Sequence, residues 1–406
     1  LLVQMRATSP AYADLRYPDP LTLAQVQDRV LDRDTALLQY ALGDDRSYVW
    51  VVTTDRIATY TLPGRDDIET AAREFYEVLK DPQMREDPTL RYTAPRARAL
   101  SQQILASVPL PNTPRLLVVP DGALQYIPFA ALPLPETSDY TPLLAEYEIV
   151  SLPSASSIDI SRQQRQGRNL APKLFAAIAD PVFQPDDPRV SGSASATLPI
   201  ELEVATRNLN LNRIARLPGT RREAEQILAL VGGGDSARAF DFQADYNFAI
   251  GDTLSQYRYV HFATHGFVNS VNPQLSGIVL SLVEENGSSQ KGFLRLHDIF
   301  NLNLPAELVV LSACQTGLGE DVRGEGMVGL TRGLMYAGAA RTVVSLWAVN
   351  DDATAELMVR FYQGMWEENL SPSEALRAAQ LSMWREEKWR NPYSWAAFSF
   401  QGEWRD

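Results

Sequence analysis

The chain has one cysteine and three histidines, and two of these four residues sit where chemistry could use them. Cys314 closes an apolar run, Leu308-Val309-Val310-Leu311-Ser312-Ala313, and is followed by Gln315-Thr316-Gly317. His265 closes another, Tyr259-Val260-His261-Phe262-Ala263-Thr264, and is followed by Gly266. Each run reads as a buried strand that stops at a reactive side chain. In an open parallel sheet, functional groups gather just beyond the carboxyl ends of the strands. A thiol and an imidazole at two such ends can form a nucleophile and its base. The thiol, with an ordinary pKa of about 8.5, becomes a good nucleophile only when a neighbour favours the thiolate. The plainer alternative is an inert buried residue, since free cysteine is among the most buried residue types.

The other histidines carry less. His261 and His265 are four apart, and on a helix they would share a face and could hold a metal. The segment reads as a strand and lacks the glutamate of an HExxH motif, so a metal site is not expected. In a strand the two point the same way but lie roughly 13 Å apart. His261 is expected to be a hydrogen-bonded core residue, and His297 a surface or helix-start residue. Gly324-Glu325-Gly326 with Gly329 is glycine-rich, but no Lys-Ser/Thr follows, so a phosphate-binding loop is not expected. No cofactor is called for.

The elements that must position these residues follow from the pattern. Thr35–Ala41, Ser47–Thr54 and Arg56–Thr61 form a hairpin-rich meander. Helices are expected at Asp66–Lys80 and Pro95–Val108, and strands at Arg115–Val119 and Ala145–Ser151. This half contains neither cysteine nor histidine and cannot supply the pair. Lys173–Ala179 is a strand ending at Asp180-Pro181. Residues 184–212, rich in Pro, Ser, Ala and Asn, read as a long exposed loop. Thr220–Val231 is expected to be a helix with Thr220 as N-cap and Glu223 completing a capping box, stopped by Gly232-Gly233-Gly234. Strands at 257–264, 277–283, 308–313 and 341–347 then alternate with helices at 326–338, 352–368 and 372–385. That alternation calls for a mostly parallel sheet covered by helices on both faces. An aromatic strand carrying Phe398, Phe400 and Trp404 closes the chain.

Composition sets outer bounds. The chain has 406 residues, long enough for about two domains, with 45% hydrophobic and 21% charged residues, as in ordinary globular proteins. No apolar run approaches the roughly 20 residues of a membrane span, so no membrane role is expected. The net charge of −13 argues against a nucleic-acid surface. A single cysteine excludes an intrachain disulfide and fits a reducing compartment, so the cytoplasm is expected. Residues 1–34 are polar with scattered prolines and read as a linker from an upstream region, the first residue being Leu1.

Several ordered motifs together resemble the CHAT domain, a caspase-like family of cysteine peptidases related to separases. They are Val119-Pro120-Asp121-Gly122-Ala123-Leu124-Gln125-Tyr126-Ile127-Pro128-Phe129-Ala130-Ala131-Leu132, the His265 and Cys314 strands, Gly324-Glu325-Gly326, Ser345-Leu346-Trp347, and Asn391-Pro392-Tyr393-Ser394-Trp395-Ala396-Ala397-Phe398. The resemblance covers about Thr35 to Trp404. It implies a three-layer α/β/α sandwich with a mostly parallel sheet over 170–406, preceded by a smaller, pseudo-caspase-like α/β unit over 35–165. It implies His265 and Cys314 as catalytic dyad, with the amides of Gly266 and Cys314 as oxyanion donors. The family's substrate pocket falls on Asp180, Ser312, Trp347 and Asp351. Its several carboxylates, with Glu320 and Asp321 after the Cys loop, suggest a basic residue before the cut. Asp351-Asp352 could equally be acids capping a helix. The expected partners are a protein or peptide substrate and a regulatory upstream domain or partner protein. Autocleavage after Arg189, Arg207 or Arg213 would be one route of control. A catalytically silent docking module, and an acyl hydrolase or transpeptidase using the same dyad, remain as alternatives.

Overall fold

The computed structural model describes residues 19–405 except 136, 138, 193–212, 233, 270–274 and 318–324, with backbone alone at 85–86, 268–269, 313–317 and 325–328. The chain divides into two units, one running to Gln166 and resuming at Asn369, the other spanning Gly167–Glu368.

The first unit begins with an antiparallel meander of β1 (Thr35–Ala41), β2 (Ser47–Val52) and β3 (Ile57–Leu62). Then come α1 (Arg65–Lys80), α2 (Thr93–Ile104), β4 (Arg115–Val119), β5 (Glu148–Ser151) and α3 (Ala155–Arg165). β1, β4 and β5 pair in parallel, and Arg115 on β4 is ion-paired to Glu148 on β5 at 2.9 Å. The stretch before β1, expected to be a linker, is packed: Val30 and Leu31 are buried, and Arg162 and Arg405 bond the carbonyls of Arg29 and Val30.

The second unit runs β6 (Lys173–Pro181), α4 (Pro218–Val231), β7 (Ser236–Asp241), α5 (Tyr246–Ile250), β8 (Tyr257–Asn269), β9 (Gly277–Val279), β10 (Phe293–Arg295), α6 (Leu296–Phe300), β11 (Leu308–Gly317), α7 (Glu325–Tyr336), β12 (Arg341–Ser345) and α8 (Asp351–Trp366). Its parallel strands lie in the order β7-β6-β8-β11-β12. Beyond the end of β6, β9 pairs antiparallel to the last part of β8, and β10 to β9. The strands are apolar on both faces, as a sheet sandwiched between helices requires. Side chains of α4 and α8 meet β8 on one face, and α7 packs on α6.

The chain then returns to the first unit with α9 (Pro372–Arg385) and β13 (Phe398–Gly402), which adds to β5 in parallel. α9 starts at a capping box, Ser371 with Glu374, and Pro372 occupies its first position. This differs from the expected 35–165 and 170–406: residues 369–406 belong with the first unit. A run read from sequence periodicity shows a strand's type but not which sheet it joins.

Two further differences have local causes. The helix expected from Thr220 starts at Pro218, with Leu217 in the capping position. Thr220 Oγ1 instead donates to Leu217 O, and Glu223 turns inward to a buried histidine. The two strands expected to stop at His265 and Cys314 run on to Asn269 and Gly317.

Candidate functional site

β8 and β11 are in register from Tyr259 opposite Leu308 to Ala263 opposite Ser312, and the pairing resumes at Gly266 opposite Cys314. Between those rungs β8 holds Thr264 and His265 while β11 holds Ala313 alone. This is a β-bulge, which bends a strand and re-aims a side chain without ending the ladder. His265 therefore lies at a kink within the sheet, and Cys314 on the adjoining strand opposite its neighbour. The Cys314 side chain lies outside the described residues, as do Glu320, Asp321, and Gly324 with the side chains of Glu325 and Gly326.

His265 is 5% exposed. Its ring stacks on Phe267 at an interplanar angle of 9° and meets Phe183 at 5.2 Å between centroids. Nε2 lies 2.7 Å from Ala215 O. A carbonyl only accepts, so Nε2 carries the proton and donates it, and in the neutral ring Nδ1 keeps the lone pair. Among the described residues Nδ1 has no hydrogen-bond partner. Burial lowers the His265 pKa below its ordinary 6.5, and the bond to Ala215 opposes that only in part. The side chain is thus a neutral base near pH 7, with its tautomer set by the chain at Ala215.

A cleft, partly open to solvent, adjoins His265. Its apolar wall includes Leu217, Ala348 and Val349; its polar groups include Glu223, Ser312 and Asp351. Asp351 begins α8, and its Oδ2 accepts from Gly219 N at 3.1 Å. Only glycine allows this approach, since a Cβ at 219 would stand 2.2 Å from that carboxylate oxygen. Among the described residues Asp351 makes no ion pair. Ser312 is buried, and its hydroxyl has no hydrogen-bond partner among the described residues.

Glu223 is a cleft residue that sequence reasoning assigned to a helix cap. Its Oε1 accepts from His261 Nε2 at 2.9 Å, and His261 Nδ1 faces Tyr362 Oη at 3.1 Å. The polarity follows from the carboxylate: Nε2–H donates to Glu223, and Nδ1 accepts from the Tyr362 hydroxyl. His261 is fully buried, in line with its expected core role. A glutamate on the inner face of a helix, four residues before Ile227 on the same buried stripe, was the available signal.

Asp180, expected in the pocket, does not line this cleft. It is fully buried and is the extra residue of a second bulge, in β6, where Ala179 opposes Phe240 and Pro181 opposes Asp241. Its φ of +50° lies in the left-handed region. Arg216 forks onto its carboxylate at 2.9 and 2.8 Å, Arg221 bonds it at 3.1 Å, and Arg189 lies at 3.2 Å. No charge is left for a substrate. Trp347 is buried and its side chain does not line the cleft either.

Among the described residues no three His, Cys, Asp or Glu side chains converge to hold a metal ion, and no helix is long and apolar enough to cross a membrane. His297 is exposed at the start of α6, beside Asp298 at 3.3 Å.

The second unit is thus a mostly parallel α/β sheet with a histidine at a bulge and a cysteine on the next strand. Residues 94–403 match the CHAT domain, and the chain belongs to that family. Tetratricopeptide repeat protein 28 of Homo sapiens is 24% identical over 354 residues, covering 77% of this chain but 13% of that protein. The chain thus spans a small part of the length of that curated relative. The separase–securin complex of Saccharomyces cerevisiae aligns with 99% of this chain and 31% of that chain, at 10% identity and a TM-score of 0.49. The Arg-specific cysteine proteinase gingipain R aligns with 84% of this chain and 74% of that chain, at 12% identity and a TM-score of 0.42.

Proposed function

We propose that the chain is a cysteine endopeptidase that cuts a protein substrate after a basic residue. The observation that carries this reading is the tautomer of His265. With Nε2–H committed to Ala215 O, the basic Nδ1 is left for a thiol on the neighbouring strand, beside a cleft. Cys314 loses its proton to His265 and its sulfur attacks the scissile carbonyl. The bond electrons move to the carbonyl oxygen, which the amides of Gly266 and Cys314 receive; these residues are partners across the β8–β11 ladder. As the tetrahedral adduct collapses, His265 returns the proton to the departing amine. Water, deprotonated by His265, then adds to the thioester; the adduct breaks its carbon–sulfur bond, the Cys314 thiolate regains the proton from His265, and the carboxyl product departs.

The cleft supports the basic preference. Leu217, Ala348 and Val349 suit the alkyl stem of an arginine or lysine, and the Asp351 and Glu223 carboxylates suit its cation. A site built around such groups strongly rejects side chains that leave them unpaired. By analogy with the repeat-containing relative, a regulatory region and a protein partner accompany the domain in a longer chain.

The test is turnover of fluorogenic peptides differing only in the residue before the cut, by the wild type and Cys314→Ala. Turnover of Arg and Lys peptides that vanishes in the variant is expected. Turnover of another class would discard the basic pocket and keep the peptidase. None at all, with the full-length chain and its partner supplied, would favour a silent docking module. Turnover of thioesters or esters without amides would favour the acyl-hydrolase alternative.

A further inference from the structure

We propose that Asp180 is a positioning residue for His265: by gripping Arg216 it holds the Ala215 carbonyl where that carbonyl keeps the histidine proton on Nε2. The inference rests on the peptidase reading only for its catalytic consequence, not for the geometry.

Ala215 lies in the segment before α4, with no strand or helix hydrogen bonds of its own to fix it. It is held from both sides. Ile214 is buried in an apolar cluster with Val182, Phe183, Phe267 and Phe293. Arg216 makes the two-bond fork to Asp180. A fork of this kind sets direction as well as distance, which a single contact does not. The anchor is itself over-determined. The Asp180 amide donates to Thr220 Oγ1 at 3.1 Å, its carbonyl accepts from Arg189 at 2.8 Å, and its carboxylate meets three guanidinium groups. Arg189 and Arg221 also bond Asp241, the residue after the bulge on β7, which has a φ of +52°.

Two non-glycine residues in the left-handed region, at the ends of adjoining strands and sharing arginines, are strained positions that persist only where their surroundings over-determine them. A buried ion cluster adds little net stability over well-packed apolar residues. Geometry is what such an arrangement supplies, and the group it points toward is Ala215 O. The ring held there packs between Phe183 and Phe267. The titratable groups lining the cleft beside it are Glu223 and Asp351, and Cys314 belongs to the adjoining strand β11.

The chain's three histidines make a direct experiment practical. Nitrogen-15 NMR of histidine-labelled protein, with the His265 signal identified in His265→Gln, reads the tautomer and the titration without needing turnover. In the wild type the Nε2–H form should dominate. In Asp180→Asn and Arg216→Gln the tautomers should mix and the His265 titration should move further down in pH, because the Ala215 bond that opposes its depression is weakened. The acid limb of the pH–kcat/KM profile should move with it. kcat should fall by roughly 10²-fold, the scale of a small misplacement of a reacting group, with KM little changed. Arg216→Lys, at a partly exposed side chain, keeps the charge but not the fork. It should give an intermediate tautomer ratio, and it serves if the Asp180 variant does not fold. Unchanged tautomer and titration in Arg216→Gln and Arg216→Lys would overturn the proposal. If they change as expected in a protein that cleaves no peptide, the positioning role stands and the peptidase reading falls. If the wild type cleaves peptides and the variants keep its tautomer and pH profile, the reverse holds.

Discussion

Gly266 and Cys314 stand opposite one another across the β8–β11 ladder, one rung past a bulge in which Thr264 and His265 oppose Ala313 alone. The extra residue on β8 is what sets the histidine one step back from the cysteine's own rung. In a regular parallel ladder the two would have had no offset to work across. Since the chain has a single cysteine, iodoacetamide reports on Cys314 alone. Its alkylation near pH 7 should slow about tenfold in His265→Gln, because the imidazole that favours the thiolate is gone. Mass spectrometry of quenched time points gives the rate, and equal rates would remove His265 as the partner of the thiol.

Asp351 supplies a carboxylate with no ion pair among the described residues, fixed by the Gly219 amide. Asp351→Asn keeps that bond through its side-chain oxygen and removes the charge. kcat/KM for Arg and Lys peptides should fall by about 10²-fold, the cost of deleting one member of a desolvated charge pair. Peptides with an uncharged residue at that place should change little. A uniform loss across all peptides would assign Asp351 to the cap of α8 alone.

Glu223, His261 and Tyr362 form a buried hydrogen-bonded line from α4 through β8 to α8. Glu223→Ala leaves the His261 N–H without an acceptor and should cost about 2 kcal/mol in urea unfolding. Glu223→Gln retains an acceptor and should cost less than half of that. Equal costs would mean that shape, not the hydrogen bond, is what Glu223 contributes.

The depressed pKa of His265 has a thermodynamic sign. Above its ordinary value of 6.5 the folded and unfolded chains both hold it neutral. As pH falls below 6.5 the unfolded chain takes up the proton first, so the folded state loses stability until the folded histidine also titrates. Unfolding free energy should therefore decline from pH 6.5 downward, and His265→Gln should flatten that part of the curve. A slope unchanged by the substitution would place its origin in other groups.

Arg189 and Arg213, both considered as autocleavage sites, differ in availability. The Arg189 side chain is 16% exposed and holds three carboxylates, whereas that of Arg213 is 59% exposed and, among the described residues, paired to Asp186 alone. Brief trypsin treatment should cut after Arg213 well before Arg189, as fragment masses would show. Arg207 lies outside the described residues.

Much of this fold was legible because its strands are continuous apolar runs and its helices carry strong ends. Arg115–Val119 has the bounds read from sequence, and so does the capped helix at Pro372–Arg385. What escaped was relational. A bulge leaves no compositional mark, so Thr-His-Gly looked like a strand's end when it was a kink within one. β7, Ser-Ala-Arg-Ala-Phe-Asp, is too short and too weakly alternating to be read as a strand. The return of β13 to the first unit depends on which neighbour it meets, and no local pattern encodes that.

The site shows the same division. His265 was visible as a side chain, but its tautomer is set by a carbonyl, and every residue has one. Asp180 was placed by its position after a strand, where family pockets lie, and its three arginines come from segments separated in sequence. Glu223 matched a capping box by spacing, yet the helix began two residues earlier and turned it inward.

Arg189 and Arg216 close on the same carboxylate from opposite ends of the stretch between them. The chain on either side of that stretch is thus tied to one point. Lengthening a segment between two tied ends costs closure entropy only slowly, each doubling adding about 0.6 kcal/mol. Evolution, or an engineer, could therefore insert a recognition segment or an affinity tag between the two arginines, and the carbonyl beside Arg216 would still face the histidine.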